Sequence, residues 1–179
     1  MWQRMLDTNL TGPFLMIKHA VPYMISAGGG SIINVASIAG LLGLPNMVAY
    51  CTTKAGMLGL SRQVAFDYGI HKIRCNTVLP GAFRSEMFQA GMTDFAKTLG
   101  LELEDVLKVW SGPAPLRRIA KCQEIAGLFV YLASDEATYT TAAEFVCDAG
   151  LHTVDAAAIA VDNLVKKVMA ERAAAAEKK

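Results

Sequence analysis

The sequence predicts an α/β fold, a doubly wound parallel sheet in which buried strands alternate with helices. Two apolar runs, GSIINVAS at 30–37 and IRCNTVLP at 73–80, are bounded by Gly or Pro and are typical of buried strands. Residues 19–53 contain no Asp, Glu, Lys or Arg, as expected of a parallel sheet covered on both faces. Pro22, the triplet 28–30 and Pro45 interrupt that stretch, so it contains no apolar helix long enough to span a membrane.

The composition fits a single domain with a sizeable core. The chain has 179 residues, is 53% hydrophobic and carries a formal charge of +1, which gives no reason to expect a nucleic-acid partner. Its four cysteines form no C-x-x-C pair, show no zinc spacing with the three histidines, and follow no signal peptide. We therefore expect a cytoplasmic protein with reduced, mostly buried cysteines and no metal site.

The first element is a long helix. Apolar residues from Leu6 to Met24 recur every three or four positions, but Gly12 and Pro13 interrupt the stripe. Proline has no N–H to bond the carbonyl of Asn9, four residues earlier, so we expect a kink there and a carbonyl free to bind water.

Three residues at the centre of the chain could share one reaction. Ser37 closes the first strand, and Tyr50 and Lys54 are spaced i, i+4, so a helix would place both side chains on one face. An ammonium beside a phenol favours the phenolate, and a serine hydroxyl can hydrogen-bond a developing oxyanion. The trio could therefore move a proton on or off an alcohol oxygen, at the strand end where α/β folds bind ligands.

The remaining elements follow in order. Asn46 is a candidate N-cap for the helix of Tyr50 and Lys54, which should end at Tyr68 with Gly69 as a left-handed cap. After the second strand we expect short helices over 88–99 and 101–110, a helix over 125–132 and a third strand over 143–148. The composition shifts at residue 155, which predicts a main domain over 1–154 and a helical tail over 155–179 that frays into solvent.

These segments, in this order and spacing, resemble the classical short-chain dehydrogenase/reductase family. The resemblance runs from Trp2 to Gly150 and includes DTNLTG, GSIINVASIAG, YCTTKAG, IRCNTVLPG and EFVCDAG. It implies the C-terminal portion of a Rossmann-like domain that transfers a hydride between a secondary alcohol or ketone and NAD or NADP. Tyr50 would be the general acid/base and would also contact the cofactor, and Lys54 would assist it and hold the nicotinamide ribose. Ser37 would orient the substrate oxygen, and Asn9 would hold a relay water.

The resemblance also assigns the segment after the second strand to the cofactor. Pro80, Gly81, Phe83 and Ser85 would line the nicotinamide, and Gly81 would let the backbone approach it closely. The apolar stretch 86–114 would cover a hydrophobic substrate, and the two long helices would form a homo-oligomer contact. Ala142 and Ala149 replace glycines common in the family, and would be strained if those positions need a positive φ.

The Gly-rich phosphate-binding turn of the family is not found. The triplet 28–30 precedes a strand, whereas such a turn must follow one, so the chain is expected to correspond to a family member truncated before its fourth helix. We therefore expect weak cofactor binding, and the main alternative is a non-catalytic fragment that oligomerises. A serine hydrolase using Ser37 is a further alternative, but it lacks a G-x-S-x-G motif.

Overall fold

A three-stranded parallel sheet forms the centre of the molecule. The computed structural model describes residues 1–176. The strands β1 (Gly30–Val35), β2 (Ile73–Pro80) and β3 (Glu144–Cys147) lie in the order β1-β2-β3. Gly30 is in register with Ile73, and Thr77 with Glu144. The predicted α/β class and the three parallel strands are therefore confirmed.

Helices cover both faces of the sheet. The helices are α1 (Trp2–Leu6), α2 (Gly12–Ser26), α3 (Val48–Tyr68), α4 (Glu86–Leu99), α5 (Leu103–Ser111), α6 (Ala126–Ala133) and α7 (Ala156–Ala176). Ile32 of β1 shares a buried cluster with Ile17 of α2 and Val64 of α3. The adjacent Ser31 points to the other face, where its hydroxyl donates to the carbonyl of Leu132 in α6 (2.7 Å). The sheet is therefore doubly wound.

The N-terminal helix contains a π-helical turn where a kink was predicted. This turn spans Asp7–Thr11 between α1 and α2, and the Gly12 N–H donates to the carbonyl of Asp7, five residues earlier. Pro13 lies at the start of α2, where a missing N–H costs little. The chain accommodates the proline by inserting a wider turn, a feature frequently found at functional sites.

Both ends of α3 differ from the sequence-based prediction. Asn46 does not cap the helix: it adopts a left-handed conformation (φ 62°), and Met47 is the N-cap residue, without a side-chain cap. Gly69 is right-handed (φ −58°) and begins a 3₁₀ turn, Gly69–His71. Lys72 is the left-handed residue, with φ 59°. The chain thus turns three residues later than predicted, because the 3₁₀ turn extends the helix before the reversal.

The covering helices and the tail lie close to their predicted positions. The 3₁₀ turn Cys122–Ile125 precedes α6, so the α-helix itself begins one residue after Ile125. Helix α7 starts after Asp155, whose carboxylate accepts hydrogen bonds from the N–H groups of Ala157 and Ala158. The predicted tail extends to residue 179, and its last three residues lie outside the described part. Across residues 1–176, none of the helices combines the length and apolar character needed to cross a membrane.

All four cysteines are unpaired, as predicted, but they differ in burial. Cys75 is fully buried in the core, Cys51 and Cys147 are half-buried, and Cys122 is exposed. The expectation that most are buried was therefore wrong, because Cys122 begins a surface turn and, of the two cysteines in strands, Cys75 in the central strand is buried whereas Cys147 at the end of β3 is half-buried.

Ala142 and Ala149 both adopt the left-handed conformation that glycine would favour. Their φ angles are 57° and 61°. A Cβ in this region costs about 1–2 kcal/mol, while glycine adds up to about 1 kcal/mol of unfolded-state entropy. We therefore expect Ala142→Gly and Ala149→Gly each to raise the free energy of unfolding by about 0.5–1 kcal/mol in denaturant titrations. Ala143 adjoins Ala142 but has no positive φ, so Ala143→Gly should lower the free energy of unfolding. Equal effects at all three sites would contradict the strain.

Candidate active site

Ser37 lies immediately beyond the carboxyl end of β1, where its side chain is held by a turn. Its backbone is extended (φ −173°, ψ 160°), and its Oγ accepts a hydrogen bond from the N–H of Ala39 (3.1 Å) at the start of the 3₁₀ turn Ile38–Gly40. A hydroxyl has one donor and two acceptor positions. This contact therefore fixes the oxygen while leaving its proton available to another oxygen.

Tyr50 and Lys54 lie on one face of α3, as their spacing predicted. Tyr50 is in the first turn of the helix, and the Lys54 Nζ lies 5.6 Å from the centroid of the Tyr50 ring. Both side chains are half-buried. Burial lowers the pKa of Lys54 from its ordinary value, because a low-dielectric environment disfavours the ammonium. The pair can thus place a positive charge beside a phenol near the end of β1.

The ammonium of Lys54 also contacts the open edge of β1. It donates a hydrogen bond to the carbonyl of Val35 (3.0 Å), two residues before Ser37. The next N–H along the strand, that of Ala36, points to β2 and donates to Val78. The Val35 carbonyl therefore points away from β2, because the two groups of a trans peptide point in opposite directions. Lys54 thus occupies an acceptor that a neighbouring strand would otherwise use.

Asn9 lies in the π-helical turn and contacts α3 beside Lys54. Its Nδ2 is 2.9 Å from the Sδ of Met5 and 3.4 Å from the Oγ1 of Thr53. The Thr53 hydroxyl in turn donates to the carbonyl of Tyr50 (2.8 Å) and is fully buried. The side chain of Asn9 thus joins the N-terminal helix to the first turn of α3, and its role as holder of a relay water stays a prediction.

Gly81 permits a close approach between two parts of the protein. A Cβ at Gly81 would lie 2.7 Å from the Cβ of Asp148 and 2.8 Å from its Cα, and the Gly81 N–H donates to the carbonyl of Cys147 (2.9 Å). The space that a side chain would need is therefore taken by the segment after β3. The need for glycine here follows from packing against that segment, without reference to a ligand.

A short β-bridge fixes the segment from Pro80 to Ser85. Phe83 pairs in parallel with Ala120, through hydrogen bonds from the Arg84 N–H to the Ala120 carbonyl and from the Ala120 N–H to the Ala82 carbonyl. The N–H of Phe83 therefore points away from this bridge and is available to an external acceptor. Ser85 caps α4 by accepting from the Phe88 N–H (3.2 Å), which leaves its own proton free to be donated.

Two features at this edge of the sheet were not predicted from the sequence. The buried carboxylate of Asp148 accepts hydrogen bonds from the backbone N–H of Gly150 (2.9 Å) and of His152 (2.7 Å), and its Oδ2 lies 2.9 Å from the Nδ1 of His152. The Asp-x-Gly spacing is typical of such a turn and could have indicated it. The contact of Lys54 with the Val35 carbonyl has no sequence signal, because any residue provides a carbonyl.

The chain is similar to known proteins along most of its length. A family model described as Enoyl-(Acyl carrier protein) reductase matches residues 1–152. The chain is 43% identical over 149 residues to the trans-4-hydroxycyclohexanecarboxylate dehydrogenase of Sinomonas cyclohexanicum, covering 83% of this chain and 51% of that protein. It is 42% identical, with the same coverage, to the 3-alpha-(or 20-beta)-hydroxysteroid dehydrogenase of Mycobacterium tuberculosis. The chain thus spans about half the length of these curated relatives.

Solved structures show the same fold. L-sorbose reductase from Gluconobacter frateurii, in complex with NADPH and L-sorbose, superposes with a TM-score of 0.81 at 28% identity, over 86% of this chain and 59% of that chain. Ligand-free aldohexose dehydrogenase from Thermoplasma acidophilum gives a TM-score of 0.79 at 32% identity, over 87% of this chain and 60% of that chain. A short chain dehydrogenase family protein from Francisella tularensis gives a TM-score of 0.77 at 28% identity, over 83% of this chain and 61% of that chain.

Proposed function

This chain belongs to the short-chain dehydrogenase/reductase family, and on that premise we propose that it carries the catalytic residues of an NAD(P)-dependent oxidoreductase. The reaction is the interconversion of a secondary alcohol and a ketone. The observation that carries the proposal is the position of Lys54, whose ammonium lies beside the Tyr50 ring and reaches the end of β1, two residues before Ser37.

The proposed roles follow from the chemistry of each group. In the oxidative direction the phenolate of Tyr50 accepts the hydroxyl proton of the substrate, while the positive charge of Lys54 favours that phenolate. The hydroxyl of Ser37, fixed by Ala39, donates to the substrate oxygen and holds it beside the phenol. The nicotinamide supplies the hydride chemistry when bound. Reduction of a ketone uses the same groups, with Tyr50 donating its proton.

The chain also offers groups that suit a nicotinamide nucleotide. The N–H of Phe83, which faces away from its bridge, would bind the carboxamide oxygen, and the Ser85 hydroxyl would donate to the same end of the cofactor. Lys54 would exchange the Val35 carbonyl for the ribose hydroxyls. Pro80 and Gly81 connect β2 to this segment. These residues do not distinguish NAD from NADP.

We propose a hydrophobic secondary alcohol as the substrate. Two relatives are named for an alicyclic hydroxy acid and for hydroxysteroids. In this chain Met87 of α4 and Val109 of α5 are 84% and 79% exposed, which provides apolar surface on the segment expected to cover the substrate. Cyclohexanols and hydroxysteroids are therefore the first compounds to test.

A chimera tests the activity directly. Residues 1–152 would replace the matched stretch of the Sinomonas dehydrogenase, so that its remaining part supplies the rest of the sheet. We expect NAD- or NADP-dependent oxidation of a secondary alcohol, with an enoyl thioester as the contrasting substrate because of the description of the family model. Two results for a folded chimera that binds the cofactor would contradict the proposal. One is reduction of the enoyl thioester without oxidation of the alcohol, and the other is no reaction with either compound.

The open edge of β1 favours a second candidate, a non-catalytic chain that associates with itself. The backbone N–H groups of Gly30 and Ala36 donate to the β2 side of the strand. Because successive residues of a strand point to opposite sides, the backbone N–H and C=O groups of Ser31, Ile33 and Val35 point away from β2. The strand itself contains no charged residue or proline, and the Lys54 ammonium occupies the Val35 carbonyl alone among its outward groups. Tyr23 of α2 and Phe66 of α3, each 79% exposed, add apolar surface on the helices.

We therefore expect the chain alone to form homo-oligomers and to bind NAD(P)H only weakly. Size exclusion with light scattering gives the mass, and nicotinamide fluorescence gives the affinity. Val35→Pro should reduce association if the edge pairs, because it removes an outward N–H and leaves the bonds to β2 intact. Phe66→Lys should likewise reduce association if the chains associate through the exposed apolar residues of α2 and α3. A monomer of 19.2 kDa with micromolar cofactor affinity would show the expectation to be wrong.

A further inference from the structure

A cavity separate from the four candidate catalytic residues lies at the carboxyl end of β3. Its volume is about 360 Å³. An apolar cavity of about 150 Å³ is enough to hold benzene, so this one has room for a larger ring. Its walls are mostly apolar and include Trp110, Ile119, Ile125, Leu128 and Val146, with His152 at one side. Asn9, Ser37, Tyr50 and Lys54 are not among the lining residues.

Most polar side chains that line the cavity already have partners. The Ser111 hydroxyl donates to the carbonyl of Leu107 (2.9 Å), and Arg118 makes two hydrogen bonds with Glu124 (2.8 and 2.6 Å). The hydrogen bond from Arg118 lowers the pKa of Glu124 to about 2, so both side chains stay ionised and form an ion pair. Burial, and then the charge of Asp148, raise the pKa of the Cys147 thiol, which therefore stays neutral.

His152 has a ring nitrogen without a hydrogen-bond partner among the described residues. Its Nδ1 lies 2.9 Å from the Oδ2 of Asp148, which also accepts the His152 backbone N–H (2.7 Å). A carboxylate can only accept, so Nδ1 carries the proton, and in the neutral ring Nε2 is then an acceptor. Nε2 has no hydrogen-bond partner among the described residues. The fixed tautomer thus leaves Nε2 as an acceptor on a side chain that lines a mostly apolar cavity.

We propose that this cavity binds a neutral cyclic alcohol, whose hydroxyl donates to Nε2 of His152 and whose ring packs against the apolar walls. A few oriented polar groups in an apolar pocket are the usual form of a small-molecule site. A carboxylate ligand fits less well, because it would approach the Asp148 and Glu124 carboxylates while Arg118 is already paired. A ketone of the same shape lacks the proton that the acceptor requires.

Trp110 provides a direct readout of binding. It lines the cavity, is 38% exposed, and contacts the Phe88 ring edge-on at 5.9 Å. The other tryptophan, Trp2, is removed by Trp2→Phe so that the fluorescence reports on Trp110 alone. The experiment titrates cyclohexanol and cyclohexanone into this variant at pH 8 without any nicotinamide cofactor.

We expect saturable binding of cyclohexanol in the millimolar range and about fivefold weaker binding of cyclohexanone, the difference that one hydrogen bond provides. His152→Asn can keep a donor toward Asp148 but lacks the group at Nε2, so it should lose the preference for the alcohol. His152→Gln places an amide near the Nε2 position and should restore part of it. His71→Asn, on the exposed turn after α3, is the matched control and should bind as the parent does.

The possible outcomes separate this proposal from the proposed activity. Tyr50→Phe should not change the Trp110 titration, because Tyr50 does not line the cavity. Equal binding of alcohol and ketone, an unchanged preference in His152→Asn, or no response of Trp110 would each overturn the proposal. A response that disappears in Tyr50→Phe would also overturn it, since the ligand would then occupy the candidate active site.

Discussion

In the active chimera, Tyr50→Phe is expected to lower kcat for alcohol oxidation by about 10²–10⁴, the usual contribution of general acid–base catalysis. Phenylalanine keeps the ring beside the Lys54 ammonium but removes the hydroxyl that exchanges the proton. The affinity for NAD(P)H should stay close to that of the parent, because the ring and Lys54 remain. Steady-state kinetics and a nicotinamide-fluorescence titration measure the two quantities separately.

Tyr139→Phe is the matched control for this substitution. Tyr139 is fully exposed, so loss of its hydroxyl should leave kcat unchanged. If Tyr50→Phe retained more than about a tenth of the parent kcat, Tyr50 would not be the general acid/base. A parallel loss of cofactor affinity and folding would instead indicate a structural role for its hydroxyl.

Lys54→Met in the same chimera is expected to lower both kcat and cofactor affinity. Methionine keeps the aliphatic stem but removes the positive charge beside the Tyr50 ring, so the pH–rate profile should move to higher pH. We expect kcat at pH 7 to fall by about 10²–10³, the usual cost of removing one group that stabilises charge in the transition state. A pH–rate profile and a cofactor titration measure the two effects.

Lys18→Met, on the exposed side of α2, controls for loss of a positive charge elsewhere. It should change neither the profile nor the affinity. If Lys54→Met left the pH profile in place and cofactor binding intact, Lys54 would serve only the Val35 carbonyl. The position of the profile therefore decides between a catalytic and a structural lysine.

Much of the candidate site could be predicted from the sequence, because it depends on local rules. The period of three to four residues predicted the helices, and the i, i+4 spacing placed Tyr50 and Lys54 on one face of α3. The apolar runs bounded by Gly and Pro predicted the strands, and hence the position of Ser37 at a strand end. The strained φ at Ala142 and Ala149 was also predicted, from glycines common at those positions in the family.

Only the tertiary structure decided the features that depend on residues distant in the chain. Lys54 contacts a carbonyl nineteen positions away, Gly81 is required because Asp148 packs against it, and His152 faces a cavity bounded by Trp110. The turns at Asn46 and Lys72 likewise depended on how α3 joins the sheet. Backbone carbonyls and packing distances are common to all residue types, so no sequence pattern marks them, and they are fixed only when the strands and helices assemble.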